Sequence, residues 1–228
     1  MRIGHICDSI NKRLQVEDRG RMKEQLLKMN GLSVEILDAL SFESHLGIPL
    51  KKNLHYFDKN LLIAELIEMT DWLDEQDLLS DIALDYRVKS LDSILLKCER
   101  YYPDHQARKV FNDILGFRAF CDSYDQLFEE ASSQFRIADM TQGKAIDDGY
   151  RGVHVYYQKS GRHYPIEIQF NTLFDRQLNN WLHDYLYKKN YPIETGRILR
   201  EKYEIGLIRN EHDFKEVLSN VLSGGERS

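Results

Sequence analysis

The chain has 228 residues, enough for one large domain or one domain with a helical appendage. Apolar residues make up 42%, enough for a core, and the net charge of −6 with a pI near 5.8 excludes a globally basic nucleic-acid binder while leaving room for a local basic groove. Cys7, Cys98 and Cys121 are scattered without a C-x-x-C pair, so disulfides and a cysteine zinc site are not expected and a reducing cytoplasm is; no signal peptide follows Met1-Arg2 and no apolar run approaches a membrane span.

Residues 1–79 read as a helical N-terminal region. Leu62, Leu66, Met69 and Leu73 recur at helical spacing, Ile63, Ile67 and Trp72 broaden the stripe, and Gly47-Ile48-Pro49-Leu50 breaks the region in two. His5-Ile6-Cys7 is a weak metal-like pair and reads better as a helix face. Residues 80–190 alternate short β-like runs with helices. Ile82 to Lys89 is a predicted strand, and Ser90 then caps a helix carrying Leu91, Ile94, Leu95 and Cys98, with Asp92 in its first turn. Leu115 to Cys121 and Phe135 to Met140 are further strands. From Thr172 the chain turns helical, with Phe174, Leu178, Trp181, Leu182 and Tyr185 as one stripe. Residues 191–228 supply the C-terminal helices, around Ile198 to Ile208 and Phe214 to Leu222. The fold class is α/β (α+β), with a mixed, partly antiparallel central sheet of about five strands flanked by helices.

Two of the strands form a hairpin. Val153, Val155 and Tyr157 alternate with His154, Tyr156 and Gln158; Tyr164, Ile166, Ile168 and Phe170 alternate with Glu167 and Gln169. Lys159-Ser160-Gly161-Arg162 supplies the turn, and either a tight turn or a four-residue loop sets His154 across from Glu167. A carboxylate among so many apolar neighbours needs a partner or a metal. The plain alternative is a solvated sheet face with ordinary polar residues.

Candidate chemistry clusters in the same zone. Arg87 and Lys89 share a strand face, and Ser93 and Lys97 are four apart on the following helix, an arrangement suited to a cationic trough for a triphosphate. Asp113, at the mouth of an apolar strand, is placed as a magnesium ligand is, or as a simple turn residue. Tyr150, after Asp147-Asp148-Gly149, is a ring available for stacking on a purine or for partial burial.

The order Arg87-x-Lys89-Ser90-x-x-Ser93-x-x-x-Lys97, Asp113-x-x-Gly116-x-Arg118, Gly149-Tyr150-Arg151-x-x-His154 and Glu167-Ile168-Gln169-x-x-Thr172 resembles the RelA/SpoT-type alarmone synthetase domain, over about residues 80–190 with Trp181, His183 and Tyr187-Lys188 in the closing helix. The chain is similar to the small, single-domain members of that family. His183-Asp184 is a lone dipeptide, read as a helix surface feature rather than a hydrolase site. The resemblance implies a nucleotidyltransferase-like fold and a reaction in which ATP donates its β,γ-diphosphate to the 3′-hydroxyl of a purine nucleotide, GDP or GTP. It implies that Arg87, Lys89, Ser93, Lys97 and Arg118 hold ATP, and that Asp113 and Glu167 bind Mg²⁺. Tyr150 would stack on the acceptor base, with Arg151, His154, Gln169 and Lys144 on the acceptor side.

The chain departs from the family pattern on that side. The family's Pro-Lys-x-Asn-Gly phrase is here Lys144-Ala145-Ile146-Asp147-Asp148-Gly149, and its arginine after Glu-x-Gln is Asn171. Compact toxic relatives modify the 3′ end of tRNA, so a tRNA acceptor and an antitoxin partner are the alternative, with an inactive nucleotide- or RNA-binding module as a third. Lys51, Lys52, Arg197, Arg200 and Lys202 are read as a solvated surface that RNA backbone would contact under the tRNA alternative.

Overall fold

The computed structural model describes residues 25–128, 134–189 and 191–224. In chain order the elements are α1 (Val34–Ala39), a 3-10 turn (Leu54–Tyr56), α2 (Lys59–Asp74), α3 (Asp77–Asp81), β1 (Asp85–Val88), α4 (Leu91–Tyr101), α5 (Ala107–Val110), β2 (Leu115–Phe120), α6 (Asp125–Phe128), β3 (Phe135–Asp139), β4 (Val153–Tyr157), β5 (Ile166–Asn171), α7 (Leu173–Leu182), a π-helical turn (His183–Tyr187), α8 (Glu194–Glu204) and α9 (Glu211–Gly224). The five strands form one sheet in the order β1-β2-β5-β4-β3. β1 pairs antiparallel with β2, Asp85 opposite Arg118 and Val88 opposite Leu115. The link between β4 and β5 is too short for a parallel crossover. Among the described residues, no helix is long and apolar enough to cross a membrane.

The chain divides into two compact units. One comprises residues up to Ala119 with Asp125–Ile137 and His154–Gln169; the other comprises Phe120–Tyr124, Ala138–Val153 and the chain from Phe170.

In the first unit, Asp58 caps α2 by accepting from the Asn60 and Leu61 backbone N–H groups. Leu62, Leu66, Met69 and Leu73 are buried, as their spacing requires. Ile67 is exposed instead; at 100° per residue it falls about 130° round from the centre of that stripe. Glu65 occupies the inner flank, accepting from the Tyr164 hydroxyl at 2.8 Å and the His45 N–H at 2.6 Å. Helix is scarcer before α2 than expected. Between Leu40 and Asp58 the chain is mostly irregular, because its backbone groups bond to the β4–β5 link instead: Ser44 N–H to Arg162 O, Leu50 N–H to Gly161 O and Tyr164 N–H to Phe42 O. The His5-Ile6-Cys7 reading lies outside the described residues. β1 is shorter than predicted; Ile82 packs into the core before it, and the Lys89 N–H after it donates to Ile114 O.

In the second unit, Thr172 caps α7 by accepting from the Asp175 N–H at 3.1 Å. Leu178, Leu182, Leu186, Leu199, Tyr203, Ile208, Phe214 and Leu218 form its core, with Trp181 and Tyr185 partly buried against it. Phe174 is half exposed, at the rim of the predicted stripe. His183 and Asp184 bond to each other at 3.1 Å on the surface, as a surface feature should.

Candidate active site

The hairpin brings its polar positions together as alternation requires. Val153, Val155, Ile166, Ile168 and Phe170 are buried, and between them His154 Nδ1 meets Glu167 Oε1 at 2.9 Å. Gln169 Nε2 donates to the other oxygen, Oε2, at 2.7 Å. Burial alone would raise the Glu167 carboxyl pKa; the bond and charge of His154 and the Gln169 bond outweigh it and hold it below the usual value. Glu167 is therefore an ionised acceptor at neutral pH.

Asp113 is held in the same manner by cations. Lys89 Nζ donates to Oδ2 at 2.8 Å and Lys97 Nζ to Oδ1 at 2.9 Å. Burial again opposes ionisation, and the two lysines overcome it, so the Asp113 pKa is also depressed. Lys97 reaches Asp113 because it lies nearly two turns into α4, on the flank of Ile94 and Cys98, which are buried. Ser90 stands at the N-cap, but its hydroxyl bonds the Ser93 hydroxyl at 2.9 Å rather than a backbone N–H.

One cleft is lined by Arg87, Lys89, Asp113, Gly116, Phe117, Arg118, Glu167 and Gln169. Seven of these eight come from the sequence motifs; Phe117 alone does not. β1 and β2 supply the basic wall, where Arg118 also pairs with Asp85 at 3.2 Å. Ser93 and Lys97 are not among the lining residues; Lys97 acts on the cleft through Asp113.

The donor set fits Mg²⁺. Two ionised carboxylates open on one cleft, offering hard oxygen ligands. Each of the four oxygens accepts a hydrogen bond, and the Tyr156 hydroxyl bonds Glu167 as well. Gly116 keeps the space beside Glu167 open: a Cβ there would lie 3.5 Å from Glu167 Oε2. Among the described residues no group of three or more His, Cys, Asp or Glu could hold a metal. Mg²⁺ bound through one or two carboxylates and the substrate's phosphates needs no such cage.

The residues expected on the acceptor side divide between the units. His154 and Gln169 bond Glu167 in the first. Lys144, Tyr150 and Arg151 lie in the second, and there both cations are neutralised locally. Arg151 bonds both oxygens of Asp147, at 2.7 and 2.9 Å, and Lys144 bonds Asp148 at 2.6 Å while lying over the Tyr150 ring. The loop is pinned from beneath. Gly149, at φ +87°, approaches Gly196 so closely that a Cβ on it would lie 2.3 Å from Gly196 O. The Arg151 carbonyl accepts from Asn171 and Asn179, at 2.9 and 2.7 Å.

Arg200 corrects the sequence reading. It is not a surface cation but 1% exposed, donating to Gly149 O at 2.8 Å, Asp175 Oδ1 at 2.6 Å and Asn179 Oδ1 at 3.2 Å. Helical spacing already set it near the inward positions Leu199 and Tyr203; its charge led to the surface reading, and only the buried Asp175 makes the position tolerable. Lys51, Lys52 and Arg197 are exposed as expected, and Lys202 is partly so. Two residues were overlooked. Tyr156 shares a face with His154, its hydroxyl 3.4 Å from His154 Nδ1, and Arg136 on β3 stacks over the Tyr156 ring at 4.1 Å. Alternation in β4 and β3 carries that signal.

Comparison with known proteins gives the context. The family model described as "Region found in RelA / SpoT proteins" matches residues 86–191. No curated protein matches the chain. Among solved structures, small alarmone synthetase 1 from Bacillus subtilis, crystallised with its product pppGpp, is 24% identical, covering 72% of this chain and 94% of that one at a TM-score of 0.40. Small alarmone synthetase 2 from the same organism is 20% identical, covering 74% and 98% at 0.40. A GTP pyrophosphokinase family protein from Streptococcus pneumoniae is 22% identical, covering 72% and 90% at 0.36. The motifs that line the cleft all lie within residues 86–191, the stretch that is similar to the region found in RelA/SpoT proteins.

Proposed function

We propose that the chain transfers the β,γ-diphosphate of ATP to the 3′-hydroxyl of a guanine nucleotide, GDP or GTP, releasing AMP. The observation that carries this reading is the convergence of Asp113 and Glu167 with Arg87, Lys89 and Arg118 on one cleft. In the transfer a bond forms between O3′ and Pβ while the bond between Pβ and the α,β-bridging oxygen breaks. Such transfers depend on positioning and charge neutralisation more than on covalent help from the protein. Arg87, Lys89, Lys97 and Arg118 supply the positive charge for the triphosphate, with Ser93 at the first turn of α4.

Glu167 accepts the hydrogen bond of the attacking hydroxyl and orients it. His154 fixes one carboxylate oxygen and Gln169 the other, so the group has one orientation. Asp113 and Glu167 would hold Mg²⁺, which when bound neutralises charge on the transferred phosphates. Tyr150 offers its ring to the acceptor base, and Lys144, Arg151, His154 and Gln169 serve the rest of the acceptor.

A second reading has one observation in its favour. Because Lys144 and Arg151 are paired with Asp148 and Asp147, this loop offers little net charge to a 5′-di- or triphosphate. An acceptor with a single 5′-phosphodiester, such as the 3′ end of a tRNA, would need less. Incubating ATP labelled at the β-phosphate with GDP, GTP or bulk tRNA, and resolving the products, decides between them. Label in GDP or GTP supports the first reading and label in tRNA the second. Nucleotide binding without AMP release at any magnesium concentration would leave a binding module and end both.

A further inference from the structure

A cation outside the motifs lies on the same sheet face as the carboxylate cleft. In β4, His154 and Tyr156 alternate with the buried Val153, Val155 and Tyr157, so they share the face that carries Glu167. Arg136 on β3 packs its guanidinium over the Tyr156 ring, 4.1 Å from the centroid, and is therefore on that face too. Its side chain is exposed. Of the other cations near the cleft, Lys89 and Lys97 pair with Asp113 and Arg118 with Asp85, while Arg87 stands on the β1 wall. No ion pair joins Arg136 to a carboxylate among the described residues.

The sheet order gives this cation a side. Arg87 and Arg118 stand on β1 and β2, Glu167 on the central β5, His154 on β4 and Arg136 on β3 at the far edge. An in-line transfer needs donor phosphates on one side of the attacking hydroxyl and the acceptor on the other. If the basic wall of β1 and β2 takes the donor, a phosphate on the β3 side belongs to the acceptor. A guanidinium stacked on a ring is preorganised for such a phosphate, since the ring limits its rotamers and leaves its N–H edge to solvent.

On the reading of the preceding section, we infer that Arg136, anchored on Tyr156, is a specificity-determining residue that binds the 5′-phosphate of the acceptor nucleotide. The 5′-phosphate of a free nucleotide and the 5′-phosphodiester of a terminal RNA residue present the same chemistry, and the experiment separates them. The competing role is structural: a charged residue on an edge strand discourages edge-to-edge pairing and touches no substrate.

The test is steady-state transfer from labelled ATP by wild type, Arg136→Gln and Arg136→Lys, with guanosine, GMP, GDP, GTP and a short RNA ending in a free 3′-hydroxyl as acceptors. For the phosphorylated acceptors that wild type uses, Arg136→Gln should raise KM by about tenfold to a hundredfold, the range for one charge-assisted contact. The KM for ATP and the use of guanosine should be unchanged, and Arg136→Lys should fall between. A rise for GDP and GTP identifies the free nucleotide as the source of the phosphate, and a rise for RNA alone identifies the phosphodiester. An equal change on guanosine and GTP, a change in the KM for ATP alone, or no change overturns the assignment. If wild type uses none of these acceptors, the transfer reading has failed separately. Calorimetric titration with GDP then judges Arg136: weaker binding by Arg136→Gln supports the role, and equal or absent binding overturns it.

Discussion

Replacing Arg200 by methionine removes the guanidinium that donates to Gly149 O while keeping a side chain of similar length. Arg200 is 1% exposed, and its partner Asp175 is also buried. The substitution leaves Asp175 with the Tyr124 hydroxyl at 2.7 Å and Thr172 Oγ1 at 3.0 Å but without its counter-charge, and it leaves the Gly149 carbonyl without the guanidinium. Breaking a buried pair by removing one partner costs about 3–5 kcal/mol, because the remaining charge stays desolvated. In a chain of this size each kcal/mol moves the midpoint by about 2–4 °C, so Tm should fall by about 6–20 °C. Thermal unfolding followed by circular dichroism reads this directly. Adding Asp175→Asn should recover part of the loss, since the orphaned charge is then gone, and the double-mutant cycle measures that coupling. A loss under about 1 kcal/mol for Arg200→Met would refute the reasoning, because it would mean that the guanidinium carries neither the loop nor the carboxylate.

Four further outcomes follow from the same geometry. Asp113→Asn and Glu167→Gln should each lower pyrophosphate transfer by at least about a hundredfold while circular dichroism spectra stay native, since charge in the transition state is what these groups address. Gly116→Val should also lower transfer by about a hundredfold with the fold intact: its Cβ lies at ordinary contact distance from Glu167 Oε2, but the added methyls intrude on the cleft, which is read by kinetics alongside thermal unfolding. Gly196→Ala should destabilise by more than about 3 kcal/mol, as its Cβ would meet Asp148 O, which is backbone and cannot step aside; urea unfolding checks this. The contribution of Asp113 and Glu167 to stability should be flat from pH 7 to about 5 and fall below about 4. The folded pKa values of Asp113 and Glu167 are depressed, so the unfolded chain binds more protons in the interval between folded and unfolded values, and stability rises with pH there. The gap between wild type and Asp113→Asn should therefore narrow between pH 5 and pH 3 in urea titrations.

Local pattern and tertiary structure contributed different things. Period-two alternation around His154 and Glu167 needs only the two runs and the turn between them, so the hairpin and the meeting of base and carboxylate were legible before any coordinates. The same holds for the α2 stripe and for the Thr172 cap, where the signal is a few residues long. The motifs likewise contain seven of the eight residues that line the cleft, Phe117 being the exception. What lies between Leu40 and Asp58 was not legible, since many of its hydrogen bonds go to residues distant in the chain, around Pro103 to Arg108 and Gly161 to Tyr164. Arg200 was misread for the same reason. A cation's place inside or outside depends on whether a carboxylate waits for it, and Asp175 is 25 residues distant in the chain. The pairing of Lys144 and Arg151 with their own loop, and the stacking of Arg136 on Tyr156, are equally matters of geometry. The sequence by itself determined which strands alternate and which chemical groups they present; only the tertiary structure decided which charges are spent on one another and which face the cleft, because Coulomb and hydrogen-bond energies depend on separation in space and not on separation along the chain.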